Sequence, residues 1–180
     1  METGKSWVTM EHWDTNRDEA TPAELADALL KAVESGAALK DLQGVSDELM
    51  DGIYAFAYHF YQHNRLDDAE VFFRFLCVYD FHNPEYTMGL AAVHQLKKDY
   101  AKAIDLYALA YSQSNDDCRP MLHAGQCHLQ MGKAVLARRC FEVAEARSKD
   151  AALKRMAASY LAGLDEIAAT MSDASAPANS

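Results

Sequence analysis

The chain has 180 residues, 17 of them Lys or Arg and 27 Asp or Glu, for a formal charge of −10. That length supports one domain with a real core. The acidic balance excludes a direct nucleic-acid binder, for which phosphate neutralisation supplies most of the affinity. No apolar stretch reaches the roughly 18 residues that a membrane span needs, so no membrane association is expected.

Residues 1–20, METGKSWVTMEHWDTNRDEA, have no apolar core of the signal-peptide type and read as a disordered arm. The expectation is a protein kept in the cytoplasm. There the four cysteines, which form no CxxC pair, stay reduced and structural. TPAELADALLKAVESG, residues 21–36, reads as a helix. Thr21 is its N-cap, Pro22 opens it and Gly36 ends it. Leu25, Ala28, Leu29, Ala32 and Val33 form one apolar stripe along it.

From about residue 48 the chain repeats. Ala69, Ala103 and Ala137 stand 34 residues apart, and their neighbours keep register. Four residues after each come Phe73, Tyr107 and Phe141; seven after, Leu76, Ala110 and Ala144. Twelve residues before each come the small Ala57, Ala91 and Gly125, preceded by Phe56, Leu90 and Ala124. A 34-residue period with small and aromatic punctuation is the signature of the tetratricopeptide (TPR) repeat. The fold class is therefore all-α: a helical-repeat solenoid of three helix pairs with flanking helices. The repeats cover about 48–82, 83–116 and 117–150. A capping helix covers about 151–169, completing one domain over 21–169, and residues 170–180 form a disordered tail. The run Val71–Val78, apolar almost throughout, becomes the second helix of repeat 1. Its lack of polar positions implies burial between its own first helix and repeat 2. Ile53, Phe56, Ala57 and Phe60 take core positions on the first helix.

In TPR stacks the first helix of each repeat lines the concave face. After the core positions are assigned, repeat 1 presents Tyr54, Tyr58 and Tyr61 there, spaced i, i+4, i+7. The same positions hold Met88, Ala92 and Gln95 in repeat 2, and Leu122, Gln126 and Leu129 in repeat 3. Tyrosine has a broad apolar body and a polar tip, which suits a surface wet when empty and dry when filled. The expected ligand is an extended apolar peptide. His59 with His63, and His123 with Cys127, have i, i+4 spacing, but two ligands without a third make no metal site. No metal, no cofactor and no catalytic residue is expected, since P-loop, GxSxG and GxGxxG motifs are all missing.

The stretch DDAEVFFRFLCVYDFHNPEYTMGLAAVHQLKKDYAKAIDLYALAY, with ALKDLQGVSDELMDGIYAFAY before it and HAGQCHLQMGKAVLARRCFE after it, carries a resemblance. RFLCVYDF and MGLAAV are not shared by ordinary TPR sequences. Over residues 25–165 the chain resembles the class II chaperones of bacterial type III secretion systems, the IpgC/SicA-like translocator chaperones. The resemblance implies a non-enzymatic cytoplasmic protein that keeps two hydrophobic translocator proteins soluble and secretion-competent. It places an N-terminal translocator segment in the concave groove, over Tyr54, Tyr58 and Tyr61, with Met88 and Leu122 matched by register. It implies a homodimer through the N-terminal helix, with Leu25, Leu29 and Val33 on its apolar stripe. In the SicA-like branch it further implies partnership with an AraC-type transcription activator. The competing reading is a general TPR adaptor joining two proteins; its groove would favour charged or carboxylate-ended ligands.

Overall fold

The computed structural model describes residues 38–114 and 116–174, which form eight α-helices. They are α1 (Leu39–Gln43), α2 (Asp47–Gln62), α3 (Leu66–Tyr79), α4 (Pro84–Leu96), α5 (Tyr100–Gln113), α6 (Arg119–Gln130), α7 (Ala134–Arg147) and α8 (Ala151–Ala174). The expected arm, the helix at 21–36 and its residues Leu25, Leu29 and Val33 lie outside the described residues, as do residues 175–180. Each helix packs chiefly on its chain neighbours, giving pairs α2–α3, α4–α5 and α6–α7, with α8 laid on α7. This all-α stack of three TPR-like pairs is the architecture that the period implied.

The 34-residue register is written into the turns. Asn64, Lys98 and Gly132 adopt the left-handed conformation at φ 57°, 63° and 70°. One residue later, the N–H groups of Arg65, Asp99 and Lys133 donate to the carbonyls of Phe60, His94 and His128, each at 2.9 Å. This is one helix C-cap, a Schellman-type closure, built three times. Glycine takes that conformation without penalty only in the third copy. Helix starts are marked too: Ser46 Oγ accepts from the N–H of Leu49, and Asn83 Oδ1 from that of Glu85. Asn83–Pro84 therefore opens α4, while α3 has already ended at Tyr79.

The core follows the same register. Ala57, Ala69, Phe73, Leu76, Ala91, Ala103, Tyr107, Ala110, Ala137, Phe141 and Ala144 are all buried. Two of the aromatic rings fit places that only glycine leaves open. A Cβ added to Gly125 would stand 2.5 Å from Phe141 Cε1, and one added to Gly89 would stand 2.2 Å from Phe73 Cε1. Close-packed interiors do not absorb such overlaps without moving neighbours.

Three expectations need correction. Phe56 is 61% exposed and is not a core residue. Its register mates explain why: Tyr86, Leu90 and Val93 of α4 pack into the core of repeat 1, whereas the matching Gly52, Phe56 and His59 of α2 have no preceding repeat to pack against among the described residues. The run in α3 is helical but not buried all round. Phe73 and Leu76 are buried, while Val71, Phe75 and Val78 are 66%, 37% and 61% exposed. Finally, α8 runs to Ala174, so residues 170–174, expected in the mobile tail, are helical. No breaker interrupts TMSDA, and the first proline comes at Pro177. The sequence reading also omitted α1, where Lys40 ties to Asp47 and Asp80, both at 2.9 Å.

Gly125→Ala separates packing from helix propensity. Alanine raises intrinsic helix stability by about 1 kcal/mol, but overpacking against Phe141 costs about 1–3 kcal/mol. Urea denaturation should show a net loss of stability; a gain near the full propensity term would contradict this packing.

Candidate functional site

A cavity of about 360 Å³ opens on the side of the stack formed by the first helices of the pairs. Its walls are Tyr54, Tyr58 and Tyr61 from α2, and Glu85, Met88, Gly89, Ala92, Gln95 and Leu96 from α4. Phe73 and Tyr107, from the second helices, and His123 and Gln126, from α6, complete it.

The i, i+4, i+7 spacing turns the three tyrosines into a ladder on one face of α2. Ring centroids of Tyr54 and Tyr58 lie 6.5 Å apart, and those of Tyr58 and Tyr61 6.2 Å, with planes nearly parallel. Tyr54 also meets Phe73 edge-on at 6.0 Å, a geometry that aromatic quadrupoles favour. Tyr54 and Tyr61 pack on the core of repeat 1, whereas Tyr58 is 47% exposed. Burial raises the hydroxyl pKa of Tyr54 and Tyr61, with Glu85 adding to the effect at Tyr54. Both therefore stay neutral, as hydrogen-bonding tips on apolar bodies.

Repeats 2 and 3 supply the polar side. Tyr107 is buried, its ionisation suppressed by desolvation, and its hydroxyl donates to Gln95 Oε1 at 2.7 Å. The Tyr107 ring stacks on His123 at 5.4 Å. His123 Nδ1 pairs with Gln126 Oε1 at 3.0 Å, and Gln126 Nε2 donates to the Tyr160 hydroxyl on α8 at 3.0 Å. The two glutamines are thus held by buried or half-buried aromatic hydroxyls rather than waving in solvent. Glu85 is bonded to Arg119, its mate one repeat later, and Arg119 also grips Asp117 at 2.8 Å. Among the described residues the lining contains neither Lys nor Arg.

Of the nine residues expected to line a groove, Tyr54, Tyr58, Tyr61, Met88, Ala92, Gln95 and Gln126 meet at this cavity. Leu122 and Leu129 do not. Leu122 is 2% exposed and belongs to the core that α6, α7 and α8 build with Cys118, Phe141, Leu153 and Ala157. Leu129 is half-buried against the same core. Position 122 matches Met88 by register, but in repeat 3 the following element is the long helix α8, which brings extra apolar surface over that end of the stack. Phe73, Glu85, Gly89, Leu96, Tyr107 and His123 line the cavity although the sequence reading did not place them there. Register was the available signal for two of them. Gly89 and His123 stand 16 residues after Phe73 and Tyr107, on whose rings they rest.

Among the described residues, no three His, Cys, Asp or Glu side chains gather closely enough to hold an ion. His63 Nδ1 is engaged with the carbonyl of His59 at 2.8 Å. Cys127 is fully buried, its thiol pKa pushed up to about 11 by desolvation, as fits an inert core residue.

The tetratricopeptide-repeat family model matches residues 50–83 and 84–112. The chaperone protein SicA of Salmonella typhimurium is 51% identical over 148 residues, spanning 82% of this chain and 90% of SicA. The chain belongs to the SicA chaperone family. Solved structures agree with that membership. PcrH of Pseudomonas aeruginosa, in complex with the chaperone-binding region of PopD, matches with a TM-score of 0.64 and 30% identity, covering 71% of this chain and 97% of PcrH. SycD of Yersinia enterocolitica, in complex with a peptide of the translocator YopD, matches with a TM-score of 0.64 and 25% identity, covering 68% and 96%. SicA is a chaperone and SycD a type III secretion chaperone, and the protein is not an enzyme. No helix among the described residues is long and apolar enough to cross a membrane.

Changing Tyr107 to Phe removes one hydroxyl from this framework and nothing from its packing. The expected cost is about 0.5–1.5 kcal/mol for the bond to Gln95, with the helical spectrum unchanged. A neutral substitution would mean that Gln95 is not held by Tyr107.

Proposed function

We propose that the protein is a class II translocator chaperone. It binds two hydrophobic translocator proteins of a type III secretion system in the bacterial cytoplasm and keeps them soluble and secretion-competent. The cavity takes an extended, apolar segment from the N-terminal part of the translocator. The observation that carries this reading is the tyrosine ladder on α2 facing Met88 and Ala92 across the cavity. The ladder offers apolar area to side chains, and the fixed glutamine amides offer hydrogen bonds to the backbone of an extended chain. Relatives of 25–30% identity bind translocator segments, PopD in PcrH and YopD in SycD, which supports carrying that ligand class to this chain. A segment destined to enter a membrane presents apolar surface that would otherwise aggregate, which is the physical need that the chaperone meets.

In this reading Tyr54, Tyr58, Tyr61, Met88, Ala92, Gln95 and Gln126 contact the translocator. The chain forms a homodimer through its N-terminal helical region, about residues 21–40, with Leu25, Leu29 and Val33 on the joining face. It also serves as co-activator of an AraC-type regulator, with all DNA contact made by that partner, as the charge of −10 demands. An adaptor that grips carboxylate-ended peptides fits less well, because among the described residues the lining has no Lys or Arg to receive the carboxylate.

Tyr58 is the cleanest probe, since it is exposed while Tyr54 and Tyr61 help to cover the core. Co-expression with each translocator encoded beside this chain should yield a soluble complex on a sizing column. Tyr58→Ala should weaken that complex about tenfold or more, the scale of one well-buried anchor, with melting unchanged. A complex indifferent to Tyr58, or none with any translocator, overturns the proposal.

A further inference from the structure

We propose that His123 and Gln95 clamp the main chain of the bound segment: His123 Nε2 accepts the N–H, and Gln95 Nε2 donates to the C=O, of one residue in extended conformation. The proposal rests on the reading that the cavity takes an extended segment. The repeats supply an internal comparison. By register, position 123 is Gly89 in repeat 2 and Ala157 on α8, and position 95 is Tyr61, Leu129 or Gly163 elsewhere. The residue between them departs from the pattern as well, since of Phe73, Tyr107 and Phe141 only Tyr107 carries a hydroxyl. Stacking of the helix pairs therefore does not call for an imidazole or an amide at these two places.

The hydrogen bonds decide what each group has left to offer. The Tyr107 hydroxyl donates to Gln95 Oε1 at 2.7 Å, which leaves the hydrogens of Gln95 Nε2. Gln126 Nε2 donates to the Tyr160 hydroxyl at 3.0 Å, which turns Gln126 Oε1 toward His123 Nδ1, also at 3.0 Å. An amide oxygen only accepts, so Nδ1 carries the proton and Nε2 of the neutral ring keeps a free lone pair. Gln126 is thus a positioning residue for His123. No hydrogen bond among the described residues engages Gln95 Nε2 or His123 Nε2. Among the described residues the fully buried side-chain atoms without a partner are Gln113 Oε1 and His128 Nδ1, so the two nitrogens are open to solvent. The cavity is an opening that both residues line. Tyr107 holds the pair in place: its ring stacks on the imidazole at 5.4 Å, and its hydroxyl fixes the amide. An acceptor and a donor beside one buried ring match the N–H and C=O of a single extended residue, which point the same way. Such contacts read no side chain, so the choice of sequence is left to the apolar walls.

Two measurements on the full chain test the clamp. The first needs no ligand. In mildly alkaline buffer, imidazole ¹⁵N shifts should place the proton of His123 on Nδ1, the signal being assigned by its loss in His123→Phe. Gln126→Leu should remove that preference. A ring protonated on Nε2 overturns the proposal. The second uses synthetic peptides covering the N-terminal part of each translocator encoded beside this chain. In the tightest binder each backbone N–H is replaced in turn by an ester oxygen, and one replacement should weaken binding about tenfold. His123→Phe, which keeps a ring against Tyr107, should weaken the unmodified peptide about tenfold and make that ester cost nothing further. Gln95→Glu keeps an acceptor for Tyr107 but loses the donor, and should weaken the unmodified peptide by a similar factor. An ester penalty of equal size in wild type and His123→Phe, or none at any position, overturns the clamp and leaves the cavity as the binding site. If no peptide binds the wild-type chain, the reading of the cavity and the clamp fall together.

Discussion

The structure depends on one repeated contact: an aromatic ring from the second helix of each pair pressed against small residues of first helices. Phe73, Tyr107 and Phe141 are buried, and each sits in register with Ala57, Ala91 or Gly125 of its own pair. Sixteen residues on, the facing position is Gly89, His123 or Ala157. Where it is Gly89 the ring of Phe73 occupies the space of a Cβ; where it is His123 the ring of Tyr107 stacks on imidazole. Because no single helix pair can bury its own apolar face, these contacts decide both the spacing of the pairs and their stability. Van der Waals overlap is steep, so a ring lodged at this distance sets helix separation closely.

The same contact makes the cavity. Phe73 and Tyr107 belong to the core and to the cavity floor at once, so the stacking of the repeats fixes the shape of the floor. The tyrosine ladder and the paired glutamines are then mounted on helices whose positions are already determined. Such a surface loses little freedom on binding, which is the advantage of pre-organisation. It also explains why the cavity can be apolar and still remain a defined opening: its walls are held from behind by buried neighbours.

Much of this was legible in the sequence, because the 34-residue period is carried by residue types that have only one use. Small residues at Ala57, Ala91 and Gly125 and rings at Phe73, Tyr107 and Phe141 are enough to lay down three helix pairs. What register could not convey is the difference between the ends and the middle of a stack. Phe56 occupies the position of the buried Leu90 yet is exposed, because no helix pair precedes it among the described residues. Leu122 occupies the position of Met88 yet is buried, because α8 follows the last pair. The exposed side of α3 was hidden for another reason. An unbroken apolar run looks the same whether one face or both are covered, and only the exposure of Val71, Phe75 and Val78 in the folded chain separates the two cases.

The central claim is that the cavity between α2, α4 and α6 receives the translocator segment. Its most direct test is site-specific photocrosslinking in the co-expressed complex. A benzophenone amino acid is placed in turn at position 58 in place of Tyr58, at position 88 in place of Met88, and at position 142 in place of the exposed Glu142 on α7. The account predicts covalent adducts from positions 58 and 88, mapping to one short N-terminal stretch of the translocator, and none from position 142. Adducts from position 142 with none from positions 58 and 88 would contradict it.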